Sequence, residues 1–162
     1  MTGVRSPRVR LPVLTPGPSQ RLLSRTAEYA LRATSCLAAA GGGPLTAEAL
    51  SPVTGIPIPY LLKVLRQLTA HGVLHAQRGR GGGFTLARPP EAIRFTDVLE
   101  AVGASPVMDQ CAFGWGKCNT REPCALHPAW SRLNHAFATW ARSMTLAHVV
   151  RRQRPRSRVR AS

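Results

Sequence analysis

A chain of 162 residues with 44% hydrophobic composition is long enough for one ordinary domain with a helical appendage, and too short for two large ones. Twenty-two Lys+Arg against seven Asp+Glu give a formal charge of +15, which favours a polyanionic partner, nucleic acid first, although the Arg-rich segments 1–21 and 151–162 inflate the total. No apolar run approaches the roughly 20 residues of a membrane span, and the start lacks the continuous apolar stretch of a secretory signal, so a cytoplasmic protein without membrane attachment is expected.

Residues 1–21 are expected to be a disordered basic extension, or the product of a start codon placed too far upstream. A helix follows over 24–40, with Ala27, Ala30, Leu31, Thr34, Leu37 and Ala38 near one face at helical spacing, and GGGP ends it. Cys36 on this helix reads as a small buried hydrophobe. Thr46 is the expected N-cap of a short second helix whose length Pro52 limits. Gly55 marks a turn, and 59–72 forms a longer helix with Leu61 or Leu62, Leu65, Leu68 and Thr69 inward. Short helix, Gly-containing turn and longer helix make the helix-turn-helix pattern, which is weak by itself.

The next stretch strengthens it. Residues 73–77 and 84–87 alternate as short strands, and RGRGGG over 78–83 forms a glycine-dense tip between them. A hairpin directly after the longer helix is the order of a winged helix. Arg78 and Arg80 would project from it toward phosphates or the minor groove. A nucleotide-cradling loop is disfavoured, because no Gly-Lys-Ser/Thr step occurs and the glycines do not open a helix. Thr96 is the expected cap of a short helix that ends at Gly103.

Residues 129–150 read as one final helix. Trp130, Leu133, Phe137, Trp140, Met144 and Ala147 recur at alternating steps of three and four, a coiled-coil-like seam that asks for a second copy. The tail 151–162 is expected to be disordered. The fold class is therefore mainly α with a small β-hairpin wing: a winged helix-turn-helix over 22–103, a cysteine-rich loop over 104–128 and a long dimerisation helix over 129–150.

The loop carries the chemistry. Six residues separate Cys111 from Cys118, five separate Cys118 from Cys124, and His127 follows three positions later. Clustered cysteines in a reducing compartment are metal-binding or redox-active more often than disulfide-forming. Structural zinc sites use tight cysteine pairs, and none occurs here. Evenly spaced single thiolates suit a larger object, and an iron–sulfur cluster with His127 as a fourth ligand is favoured over zinc or a thiol redox switch. Gly114, Gly116 and Pro123 would let the loop bend, and Trp115 could shield the site. His71, His75, His135 and His148 read as surface or packing histidines. No hydrolase constellation is present, so no enzymatic activity is expected.

The chain resembles the Rrf-type winged-helix transcription regulators, which include IscR-, NsrR- and RirA-like iron–sulfur sensors. LLSRTAEYALRA (22–33), the block 56–93 with its RGRGGGF wing, FTDVLEAVG (95–103), the cysteine triplet and ARSMTLAHV (141–149) carry the resemblance. It implies a homodimer on a partly palindromic double-stranded operator, read by Pro59, Tyr60, Lys63 and Arg66 of the longer helix and steadied by Arg78 and Arg80. It also implies a cluster held by Cys111, Cys118, Cys124 and His127. Glu28 stands where nitric-oxide-sensing members place an acidic ligand donated across the dimer. His127 favours [2Fe-2S] over [4Fe-4S], and zinc is the alternative metal. The alternative functions are a zinc-stabilised DNA-binding protein without sensing and a cluster-carrying electron-transfer protein. Two departures stand out. The first cysteine interval is six residues where five is common, and Leu62 replaces a residue that is polar in some members.

Overall fold

The computed structural model describes residues 23–105, 111, 117–118 and 121–153. The basic extension 1–21, Gly114, Trp115, Gly116 and the tail from residue 154 lie outside the described residues.

Helix α1 (Arg25–Ala39) is the hub. Ser24 caps it by accepting the Ala27 N–H on its hydroxyl at 3.2 Å. Its inward face is built from small side chains, Ala27, Ala30, Ala33 and Thr34, all fully buried. Small residues let neighbouring helices approach closely, and four other helices pack on this one. Thr34 keeps its buried hydroxyl satisfied by donating to the Ala30 carbonyl at 2.8 Å.

Helix α2 (Ala47–Thr54) is capped by Thr46, whose hydroxyl accepts the Ala49 N–H at 3.3 Å. Pro52 does not end the helix as expected but lies inside it. The proline removes only the donor that would reach the Glu48 carbonyl, in an exposed first turn. Gly55, with φ +68°, makes the stop instead. The Ser51 hydroxyl donates to the Ile56 carbonyl at 2.7 Å and fixes the turn. Helix α3 (Ile58–Ala70) then buries Leu61, Val64, Leu65 and Leu68.

Strands β1 (Leu74–Gln77) and β2 (Gly83–Leu86) pair antiparallel, from Leu74 opposite Leu86 to Gln77 opposite Gly83. Leu45 adds an isolated bridge on the hairpin by exchanging two backbone hydrogen bonds with Phe84, at 3.1 and 2.9 Å. This contact explains Gly83. Its φ is +150°, and a Cβ there would lie 2.7 Å from the Leu45 carbonyl carbon. The hairpin is thus a wing, as expected, and it is tied to the turn before α2.

A 3-10 turn (Pro90–Ala92) leads to α4 (Phe95–Ala101). Thr96 is not its cap. It is a buried helical residue, and Arg94 occupies the capping position, its N–H donating to Asp97 Oδ2 at 3.1 Å. Asp97 also accepts from Arg88 at 3.0 Å.

The expected helix over 129–150 is two helices, α5 (His127–Ser143) and α6 (Leu146–Gln153). The break falls at Met144, which is extended, with φ −87° and ψ 135°. There the chain runs beside the segment before α4: Phe95 N–H donates to the Met144 carbonyl at 2.9 Å and Leu146 N–H to the Ile93 carbonyl at 3.0 Å. His148 supports the restart, its Nδ1 accepting the Thr145 N–H at 3.1 Å. Helix α6 folds back on α1 and buries Leu146 and Ala147. Leu146 joins the wing domain's core, and Ala147, buried beside it on α6, is not part of a seam continuing from α5. Residues 151–153 extend α6 and are not part of a disordered tail. The long C-terminal helix of the expected fold is α5. Among the described residues, no helix is long and apolar enough to cross a membrane.

Candidate nucleic-acid interface

The outer side of α3 is the complement of its buried stripe. Leu61, Val64, Leu65 and Leu68 face the core, so Pro59, Lys63 and Arg66, at steps of four and three, form a stripe of exposed residues. Tyr60 stands beside them and is 61% exposed. Lys63 and Arg66 have no ion pair or side-chain hydrogen bond among the described residues, and neither do Arg78 and Arg80, both exposed in the wing tip. Four cations without acidic partners are the electrostatic footprint of a polyanion site. By contrast Arg88 is committed to Asp97 and Arg32 to Glu28, the latter at 3.8 Å. Gly82 secures the tip, since a Cβ there would collide with the Gln77 carbonyl oxygen.

Sequence reasoning did not select Ile58 and Val53 for this surface. Both are large apolar residues left exposed at the α2–α3 corner. The signal was present in IPIPY (56–60), where two prolines fix the backbone and prevent the first turn from burying every hydrophobe.

The cysteine segment joins α4 to α5. All four cysteines carry unbridged thiols. Cys111 and Cys118 are half-buried, Cys124 is exposed, and His127 is the first residue of α5 and half-buried. His127 N–H donates to the Cys124 carbonyl at 3.0 Å, so these two sit on one turn at the entrance to α5. Glu28 lies apart, in the first turn of α1. Among the described residues, no three His, Cys, Asp or Glu side chains are gathered as a metal site. Cys36 is elsewhere, buried in α1, where burial pushes its thiol up to about 11.

The whole span from Leu23 to α6 matches one sequence family. Residues 23–152 fit the Rrf2 family of iron-dependent transcriptional regulators. The chain belongs to the Rrf2 family. An HTH-type transcriptional regulator of Aquifex aeolicus is 30% identical over 131 residues, covering 80% of this Rrf2 protein and 91% of the relative. IscR of Klebsiella pneumoniae is 29% identical over 111 residues, 68% of each chain. The structure of CymR, the global cysteine regulator of B. subtilis, superposes with a TM-score of 0.70 at 22% identity, covering 82% of this chain and 98% of that one. The Rrf2 protein is accordingly a DNA-binding regulator of non-catalytic type, built as a winged helix-turn-helix.

Proposed function

We propose that this Rrf2 protein is a homodimeric, cytoplasmic transcriptional regulator whose operator affinity is set by an iron–sulfur cluster. The stripe of exposed, uncommitted cations on α3 and the wing carries the DNA half of this reading. In it, α3 enters the major groove, with Pro59, Tyr60, Lys63 and Arg66 facing the bases and their flanking phosphates. Arg78 and Arg80 hold the backbone or the adjacent minor groove. A second copy, joined through α5, addresses the other half of a partly palindromic site. Leu133 and Trp140 of α5 are exposed large hydrophobes, as such an interface requires.

The sensing half rests on the donor set. Three thiols and an imidazole suit iron–sulfur iron, and Cys111, Cys118, Cys124 and His127 would hold a [2Fe-2S] cluster. His127 is supported over Glu28 by its place on the same turn as Cys124, whereas Glu28 already faces Arg32. When bound, the cluster supplies a centre open to oxidation, nitrosylation or loss. The chain's own part is mechanical. The segment between α4 and α5 ties the reading domain to the dimer helix, so its rearrangement alters the spacing of two α3 helices.

Anaerobic purification with iron, sulfide and zinc analysis, followed by operator titrations of holo and apo protein, tests both halves. A coloured protein with iron and sulfide and with unequal affinities is expected. Equal affinities across salt concentrations would remove the switching role. Stoichiometric zinc without colour would replace the cluster with a structural metal.

A further inference from the structure

The first turn of α3 is apolar where the rest of its exposed side is cationic. Ile58 is 37% exposed, Tyr60 61%, and Val53 at the end of α2 41%. Pro57 and Pro59 flank Ile58, so between residues 57 and 60 the tyrosine hydroxyl is the one polar side-chain group. Hydrogen-bonded base reading uses Arg or Lys on guanine, Asn or Gln on adenine and Asp or Glu on cytosine. None of these stands in the first turn. The thymine 5-methyl is the one apolar group that the four base pairs present in the major groove. We propose that Ile58 and Tyr60 read thymine 5-methyl groups, so that operator choice is set by thymine positions beneath the start of α3. This rests on α3 being the helix that enters the groove. Lys63 and Arg66, one and two turns further along α3, add attraction to the polyanion beyond that apolar contact.

The exposure of Tyr60 makes the test clean, because its replacement leaves the buried stripe of α3 intact. The full-length protein is used to select duplexes from a random pool, and each selected dT is then replaced by dU, which removes only the methyl. At one or two positions in each half-site, binding is expected to weaken roughly fourfold per methyl. Tyr60→Ala is expected to bind the dT duplex more weakly and to shrink the dT/dU ratio, and Tyr60→Phe to preserve the ratio. Ile58→Ser should shrink it at a neighbouring position. Equal affinity for every dU duplex overturns the proposal while leaving DNA recognition by α3 intact. A Tyr60→Phe loss as large as that of Tyr60→Ala also overturns it, since the hydroxyl would then be the reader. If no sequence is selected, the assignment of α3 as a reading helix falls as well.

Discussion

Two residues in the wing domain act through what surrounds them. Gly83 meets the Leu45 backbone where any Cβ would be, in a conformation that other residues resist. Gly83→Ala combines backbone strain with overpacking, and its expected cost is roughly 2–5 kcal/mol of unfolding free energy, measured by denaturant titration. The loss should fall on the wing contact, so DNA affinity declines even in the folded fraction. Cys36 offers a pH signature. Its folded thiol is raised from 9.0 to about 11 by burial, so the native state holds this proton where the unfolded chain releases it. The associated stability is fully present below pH 9 and is lost as pH rises toward 11, by about 3 kcal/mol at most. Comparing Cys36→Ala with the parent across pH 8 to 11 isolates this slope, which the variant should lack. At pH 8, iodoacetamide should alkylate exposed Cys124 in apo protein well before Cys36.

The elements differ in how far local sequence decides them. Helices α1, α2 and α3 and the hairpin were legible because their signals are local: a Thr46 cap on α2, apolar residues at steps of three and four, and glycines at a tip. The break at Met144 was not. Helical periodicity runs straight through ARSMTLAHV, and the chain leaves the helix only because Met144 and Leu146 find backbone partners at Phe95 and Ile93, some fifty residues earlier. The Arg94 cap was missed for a related reason, since Asp97 satisfies that N–H from inside the helix while Thr96 turns inward. For the cysteine segment, the kind of donor was readable from the residues, but their arrangement depends on loop contacts that no periodicity encodes. The shortened α5 leaves a sharper seam. Phe137 packs on the core with Trp140 stacked beside it, ring centroids 5.5 Å apart, while Leu133 is 49% exposed. Leu133→Glu should change monomer stability by no more than about 0.5 kcal/mol. A two-fold interface removes the leucine twice, so the dimer dissociation constant should rise by roughly two orders of magnitude or more. Sedimentation velocity over a concentration series reads this directly.

At the scale of the whole molecule, the charge of +15 favours any polyanion, and Lys63 and Arg66 place part of it on α3, Arg78 and Arg80 on the wing. The packing links these cations to the rest of the molecule: α3 and α4 both rest on α1, and α5 rests on α4, with Phe95 edge-on to Trp140 at 5.3 Å. A cation fixed in this way meets a phosphate at one register on the operator, and a two-fold assembly meets it twice. Each phosphate contact contributes about −0.9 to the slope of log affinity against log salt. Arg78→Ala should therefore flatten that slope by about two for the dimer, and Lys63→Ala by the same amount if it too contacts a phosphate. Arg78→Ala should weaken selected and random duplexes alike, leaving their ratio unchanged. Tyr60→Ala, which alters no charge, should leave the slope unchanged and reduce the ratio. Fluorescence anisotropy titrations of both duplexes from 50 to 300 mM salt separate the two behaviours. A ratio that falls with Arg78→Ala would mean that the wing reads bases and is more than a clamp on the backbone.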